Sequence, residues 1–451
     1  DARDVDHAVQ KAREAFERGH WSKAHPRERK EAMIRLVKLM KRRRHELAVA
    51  ESLDSGKPIS ECAQTDVPET LNCLLWHAEA CDKLYDQMTP AQDDAVGLIV
   101  REPVGVAACV LPWNFPLMML AWKIGPALAG GNSVIVKPAE QTSITALMVA
   151  ELAAEAGIPD GVLNVLPGGG PEVGEPLGRH PGIDVVSFTG STEVGRQFLK
   201  YSAESNLKRI ILECGGKNPA VVLSDAENLD HVAKHVVYAA LWNMGQNCTA
   251  NSRLIVHREV APKLMPMIDT ELEKWRTGDP LDPKNQLGAI VSEEQHEKIM
   301  GYIKTARKEG AKLRHGGKAM KGSGLFIEPT VYEGVTPAMT IAKEEIFGPV
   351  FAVMEVTSDA EAIAVANDTC YGLQTSLYTS SLTKAHRAAR AIRAGTVTVN
   401  CYGEGDVSTP FGGYKQSGFG GRDNGLAAHD QYTETKTIWI DLSDDPLEEA
   451  L

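Results

Sequence analysis

Three short stretches carry the residues whose types could act together chemically. MGQNCTA, residues 244–250, is a turn flanked by glycine and amide residues and centred on Cys248. A thiolate there would be a nucleophile. VLPWNFP, residues 110–116, contains Asn114, whose side-chain amide can donate to a developing oxyanion. ILECGGKNPA, residues 211–220, contains Glu213, a carboxylate suited to general-base work. If the fold brings these three onto one substrate, covalent catalysis through the thiol follows. Read separately, each is bland: a lone cysteine is usually a packed thiol, and the turn alone leaves any thiol chemistry open.

The elements predicted around these stretches would place them at strand ends. VGVAACVLP (104–112) is a short apolar run of buried-strand type. A helix follows, with Pro116 in its first turn and Gly130-Gly131 at its end, and then the strand SVIVKPAE (133–140). Strand, helix and strand at this spacing make a βαβ unit and imply a parallel sheet. The pattern continues with a helix at 142–156, a strand at 161–167, a helix from about 171, a strand at 184–190, a helix at 192–203 and a strand at 209–214. Such a doubly wound lobe binds ligands at the carboxyl ends of its strands.

The pattern restarts after 217 with PAVVL, a helix at 230–243, a strand at 252–257 and a helix at 261–275. It resumes with strands at 351–356, 373–379 and 396–400, separated by helices at 359–367 and 383–393. Ahead of all this, residues 3–53 read as two charged amphipathic helices, so the basic run Lys41–Arg44 is a solvated helix face. A further helix is expected across 66–86, with Trp76 and Tyr85 as core anchors. The tail 433–442 reads as a strand without a partner nearby in sequence, expected to pair across a subunit boundary, alongside 96–101.

A net charge of -12 argues against nucleic acid or an anionic membrane as a partner. The eight cysteines include no C-x-x-C pair, so neither a zinc cage nor a disulfide framework is expected, and a cytoplasmic location fits their use. No bound metal is expected, and no apolar run reaches membrane-spanning length. The first residues lack a signal-peptide core and already read as helix.

A G-x-G-x-x-G fingerprint is missing after the first strand of the doubly wound lobe. In its place are Gly168-Gly169-Gly170 and FTGSTEVG (188–195), each at a strand-to-helix handover. Gly190 permits a tight turn, and the N–H groups near Ser191 and Thr192 would open a helix suited to pyrophosphate. Lys137 and Glu140 follow the second strand, where a carboxylate commonly accepts ribose hydroxyls and disfavours a 2′-phosphate. NAD is therefore the expected cofactor, with NADP possible.

With PWNFP, KPAE, FTGSTEVG, ECGGKNP, GQNC, EEIFGPV (344–350) and PFGGYKQSG (410–418) in this order, the chain resembles the aldehyde dehydrogenase superfamily. The resemblance implies an α/β aldehyde dehydrogenase fold. Its Rossmann-like NAD(P)-binding lobe would span 1–86 and 104–215, its catalytic α/β lobe 216–430, and a bridging β-element 87–103 and 431–451. It also implies a homodimer or homotetramer, and that the family's extreme N-terminus would precede residue 1.

Carried over by motif, Cys248 matches the nucleophile, Asn114 the oxyanion donor, Glu213 the base that hydrolyses a thioester, and Lys123 a supporting lysine. Pro112, Trp113, Lys137, Glu140, Gly170, Phe188, Gly190, Ser191 and Val194 match cofactor contacts, and Glu345 and Phe347 match positions at the nicotinamide end. Met119, Trp122 and Trp242 match pocket-lining positions. Asn247 and the loop CYGEGDVSTP (401–410), with Glu404 and Asp406, are expected at the pocket mouth. Cys214, where the family commonly has leucine, reads as packing.

The tail PFGGYKQSGFGGRDNGLAAHDQYTETKTIWI, with NLKRIILECGGKNP, is most similar to the branch that oxidises γ-glutamyl-γ-aminobutyraldehyde and amino-aldehydes of polyamine breakdown. The expected substrate is an ω-amino or γ-glutamylamino aldehyde. The alternatives are a broad-specificity aliphatic or aromatic enzyme, a betaine aldehyde dehydrogenase, a CoA-acylating relative (which generally lacks the glutamate) and a non-catalytic protein on the same fold.

Overall fold

A run such as VAACV has no polar face, so it is stable only where helices cover both sides of its sheet. The computed structural model, which describes residues 1–322, 324–403 and 405–443, shows that arrangement twice. The first sheet has six strands in the order Gly418–Phe419, Arg209–Cys214, Val185–Gly190, Val106–Val110, Ser133–Lys137 and Leu163–Val165. All its neighbours are parallel except the Gly418–Phe419 edge, which pairs antiparallel with Glu213 and Leu212.

The second sheet has seven strands in the order Lys312–His315, Thr330–Glu333, Val350–Val356, Arg253–His257, Pro219–Val222, Gln374–Tyr378 and Thr396–Val399. Its only antiparallel pair among the described residues is the outer one, Lys312–His315 with Thr330–Glu333. The helix Pro116–Ala129 is apolar all round apart from Lys123, and all of it is buried in the core beneath the first sheet.

Several expectations change in detail. The N-terminal segment forms three helices, Ala2–Arg18, Pro26–Arg42 and Arg44–Ser55, where two were expected, because the chain breaks again at Arg43. The helix expected across 66–86 stops at Ala80, which leaves Tyr85 77% exposed and outside the core. The tail strand Thr433–Asp441 pairs antiparallel with Ala95–Pro103 of its own chain, in a three-stranded sheet completed by Gln87–Thr89. Residues 418–419, placed by sequence in the catalytic lobe, return to the edge of the first sheet. Phe411 and Tyr432 likewise enter the core under that sheet.

Tyr432 lies near a second buried feature. The His77 and His429 rings meet with Nδ1 and Nε2 3.3 Å apart, both fully buried. Burial holds His77 well below 6.5 and His429 at about 4, so both stay neutral in the fold. In the unfolded chain they would protonate near pH 6.5. Their contribution is therefore fully present above pH 6.5 and is lost as the pH falls towards about 4. On lowering the pH from ~7 to ~5, the wild-type unfolding free energy should drop by roughly 2 kcal/mol more than that of His429→Gln, measured by urea denaturation.

Candidate active site

Strand order in the first sheet reverses between Val106–Val110 and Val185–Gly190, which are parallel neighbours. Crevices open at the carboxyl ends of strands that diverge in this way. The chain leaves Val110 into Pro112, Trp113 and Asn114, and leaves Gly190 into Ser191, the N-cap of the helix Thr192–Ala203. Between them and the second sheet lies a cavity of about 980 Å³ in which Asn114, Glu213 and Cys248 all take part. Pro112, Trp113, Met119 and Trp122 form one wall, and Gly190, Ser191, Glu345 and Phe347 another.

Cys248 is presented by an unusual backbone. After the helix Leu229–Leu241, Asn243 and Met244 adopt left-handed φ of 55° and 56°, and Gly245 follows at 66°. Such φ values are costly for side-chain-bearing residues, so the surroundings must hold them. A Cβ at Gly245 would fall on the backbone of Gly348, which leaves room for glycine only. Asn243 Nδ2 donates to the Gln246 carbonyl at 2.9 Å and to the Asn114 carbonyl at 3.0 Å.

Asn114 Nδ2 donates to the same Gln246 carbonyl at 3.1 Å, which uses one of its two amide hydrogens. The Asn114 carbonyl also accepts from Lys57 Nζ at 3.3 Å. Lys57 is itself paired with buried Asp66 at 2.5 Å and stands 4.0 Å from the Phe115 ring centre. Asn218 Nδ2 donates to the Cys248 carbonyl at 2.7 Å. The Cys248 loop and the Asn114 loop are thus laced together by side-chain amides.

Glu213 is buried, and neither of its carboxyl oxygens has a hydrogen-bond partner. Burial, then the nearby Asp423 carboxylate, holds it well above the usual carboxyl range, against the pull of Lys123. Lys123 Nζ is 2.8 Å from Asp423 Oδ2, with both side chains fully buried. Asp423 also accepts from Gln431 Nε2 at 3.2 Å. Asp423 lines the same cavity but was not singled out from sequence, since it lies 300 residues from Lys123. Gln295 and Lys298, on the helix Glu293–Lys308, also reach the cavity, and the sequence reading had no element there. The Cys214 thiol is pushed up to about 12, chiefly by burial, in keeping with a packing role.

On the cofactor side, Ser191 Oγ caps its helix by accepting from Val194 N at 3.2 Å, and Val194 is 43% exposed in the first turn. Lys137 is buried and stands 3.5 Å from the more exposed Glu140 carboxylate. Gly170 begins the turn Gly170–Gly174, open enough that a Cβ would meet nothing within 4 Å. Phe188 is 4% exposed and packs on Phe198 in the core, beneath Gly190. Glu345 accepts from Gly216 N at 2.9 Å, and the protein packed around it pushes its carboxyl up to about 7. Phe347 meets Trp113 edge to face at 5.2 Å, and its carbonyl accepts from Gln295 at 2.8 Å. A helix N-terminus, an uncrowded glycine turn, a buried lysine and two carboxylates fit a dinucleotide.

Met118 and Trp122 also line a second cavity of about 770 Å³, bounded by Tyr238, Trp242, Tyr402 and the loop after it. Glu69 and Asp406 are the charged groups among its described lining residues, and both are acidic. Trp242 is held by its Nε1 donating to Glu61 at 2.9 Å. Asp406 accepts from Ser408 N at 2.9 Å and Ser408 Oγ at 2.6 Å, which keeps its carboxyl below the usual range. Asn247 does not open onto the mouth as expected: it is 2% exposed and donates to the Tyr402 hydroxyl at 2.7 Å from behind. Glu404 lies outside the described residues. Among the described residues no cluster of metal-ligating side chains occurs, and no helix is long and apolar enough to cross a membrane.

A family model described as the aldehyde dehydrogenase family matches residues 1–438. The chain belongs to the aldehyde dehydrogenase family, enzymes that oxidise aldehydes with a nicotinamide cofactor. It is 62% identical to an aminoacetaldehyde dehydrogenase of Pseudomonas aeruginosa, over 98% of this chain and 89% of that protein. It is 43% identical to the NADP/NAD-dependent aldehyde dehydrogenase PuuC of Escherichia coli, over 97% of this chain and 88% of that one. Among solved structures, γ-glutamyl-γ-aminobutyraldehyde dehydrogenase from Burkholderia cenocepacia superposes with a TM-score of 0.96 at 49% identity, covering 98% of this chain and 89% of that one. The P. syringae indole-3-acetaldehyde dehydrogenase AldA, a mutant in complex with NAD+ and IAA, gives 0.97 at 49% identity, with 98% and 90% covered.

The Lys123–Asp423 pair sits where an uncompensated charge would be expensive. Lys123→Met should lower stability by roughly 3–5 kcal/mol in urea denaturation, because Asp423 is left buried and unpaired. Adding Asp423→Leu should restore most of that loss.

Proposed function

We propose that this protein oxidises an ω-amino aldehyde to the carboxylic acid with NAD, using Cys248 as nucleophile, Asn114 as oxyanion donor and Glu213 as base. The observation carrying this reading is that the three share one cavity, which meets a second cavity whose described charged lining is acidic. The Cys248 sulfur adds to the aldehyde carbon, and the oxygen takes the negative charge. The remaining Asn114 amide hydrogen and the Cys248 N–H receive it, a donor of this kind contributing ~2.7–4 kcal/mol. The Gly190–Val194 turn and Glu345 would hold NAD, which would supply the acceptor for the hydride leaving this carbon. The product on Cys248 is a thioester. Glu213 then takes a proton from water, the resulting hydroxide adds to the thioester carbon, and the Cys248 thiolate leaves with release of the acid.

Glu69 and Asp406 support an amino-aldehyde, since carboxylates at a mouth attract an ammonium and repel an anionic substrate. The names of the Pseudomonas and Burkholderia relatives point the same way. The half-exposed Glu140 supports NAD, and can swing aside for NADP. We place the cofactor on the lobe built from the first sheet and the nucleophile on the lobe built from the second. The strand Thr433–Asp441 leaves one edge unpaired and exposes Trp439 and Ile440, which supports a homodimer or homotetramer formed along it. Eight cysteines without a disulfide among the described residues support a cytoplasmic site.

The test is an NAD-reduction screen across amino-, aromatic and simple aliphatic aldehydes. Amino-aldehydes should show the highest kcat/KM, and a neutral aldehyde of equal length performing as well would overturn the substrate assignment. Glu69→Gln and Asp406→Asn should each raise KM for the amino-aldehyde roughly threefold to fivefold, with little change for the neutral one.

Cys248→Ala should abolish oxidation. Glu213→Gln should keep a first-turnover burst of NADH while steady-state turnover falls by roughly 10²–10⁴. Release of an acyl-CoA in place of the acid would favour the CoA-acylating reading.

A further inference from the structure

The loop bounding the substrate cavity is fastened by two histidines that no part of the chemistry above uses. His231 and His235 lie one turn apart on the helix Leu229–Leu241, with ring centres 4.2 Å apart. His231 Nε2 donates to the Asn400 carbonyl at 2.9 Å, the last residue before the loop, which is held in a left-handed turn at φ 57°. The Tyr402 backbone N–H donates to His235 Nδ1 at 3.1 Å. Tyr402 then turns its hydroxyl to the two residues flanking the thiol, Asn247 Nδ2 at 2.7 Å and Thr249 Oγ1 at 3.0 Å. Its ring packs between Tyr238 and Trp242 and forms part of the cavity wall.

We propose that His235 is a positioning residue that holds Tyr402, and through it the substrate-side wall beside Cys248, only while its imidazole is neutral. This rests on the functional reading above. Nδ1 accepts a backbone N–H, so it must carry a lone pair; an imidazolium would present a second N–H to the first and the bond would be lost. The His231 bond survives protonation, because Nε2 is the donor in either state. The loop is therefore fastened at two points, of which acid releases one.

Partial burial, then His231 and Lys234 on its own helix, disfavour a positive charge on His235. Across the adjoining groove, the helix Ala261–Leu272 and the residues after it present Glu271 and Lys274. The loop itself adds the Cys401 thiol and the Tyr402 phenol. Below the pKa of His235, the substrate should therefore bind more weakly, while bound substrate still meets an intact Asn114, Glu213 and Cys248.

The decisive variant is His235→Asn. Asparagine carries Oδ1 one bond beyond Cγ, where histidine carries Nδ1, so it keeps an acceptor that does not titrate. In wild-type enzyme, KM for the aldehyde should rise roughly threefold to tenfold between about pH 8 and about pH 5, the scale of one hydrogen bond, with the rise falling below pH 6.5 because the pKa of His235 is lowered. His235→Asn should match wild type at the higher pH and lose most of that rise. His235→Ala should show the raised KM at both. Parallel KM–pH profiles for wild type and His235→Asn, or an unchanged KM in His235→Ala, would overturn the proposal. Thermal melts of both variants separate a folding defect from a local one. Cys248→Ala assayed alongside keeps the two readings apart: activity surviving there sinks the nucleophile assignment, whereas parallel profiles with an inactive Cys248→Ala sink only the histidine clip.

Discussion

The Gln246 carbonyl receives two amide N–H bonds, from Asn114 at 3.1 Å and Asn243 at 2.9 Å, and much of the site depends on that one oxygen. Asn114 extends from a strand of the six-stranded sheet; Asn243 and Gln246 lie in the connection between two elements of the seven-stranded one. The shared acceptor sets the distance between the loop that bears Asn114 and the loop that bears the thiol. It also stabilises the left-handed run at Asn243 and Met244, which otherwise opposes the fold. A loose connection in its place would leave Cys248 without a defined direction.

Charge in the interior follows a similar logic. Lys57 with Asp66 and Lys123 with Asp423 are ion pairs with essentially no solvent exposure, and such pairs seldom add net stability. Each touches the machinery: Lys57 holds the Asn114 carbonyl, and the Lys123–Asp423 pair faces Glu213. Among the described residues the carboxyl oxygens of Glu213 and Asp66 lack a hydrogen-bond partner, but Asp66 is ion-paired with Lys57 whereas Glu213 has no such contact. An acceptor left unsatisfied in a dry cavity is poised for water or a proton, and the neighbouring charges set how tightly it holds one.

Two cavities meeting at Met118 and Trp122 divide the tasks by chemistry. One carries Gly190 and Ser191, the carboxylate of Glu345 and the thiol. The other is aromatic and acidic, and its wall depends on Tyr402, a residue held from three sides by His235, Asn247 and Thr249. The shape of that cavity thus rests on a loop whose position is set by hydrogen bonds to a helix behind it.

Much of this was legible in the residues alone. The strands 209–214 and the helices 192–203 and 359–367 appear at the expected bounds, because apolar periodicity and turn residues are local properties. Short motifs at strand ends sufficed to nominate Cys248, Asn114 and Glu213, since a turn's chemistry is written in neighbouring residues. Long-range placement was not legible. Asp423 meets Lys123 across 300 residues, Gly418–Phe419 closes the edge of a sheet begun far earlier, and Glu69 reaches the second cavity from an N-terminal helix. Asn247 was expected at the pocket mouth yet lies behind it, because which way a side chain faces in a turn depends on what packs there. The sequence by itself determined which elements form and which groups are reactive; only the tertiary structure decided which groups are neighbours, because that depends on contacts between segments with no local trace of one another.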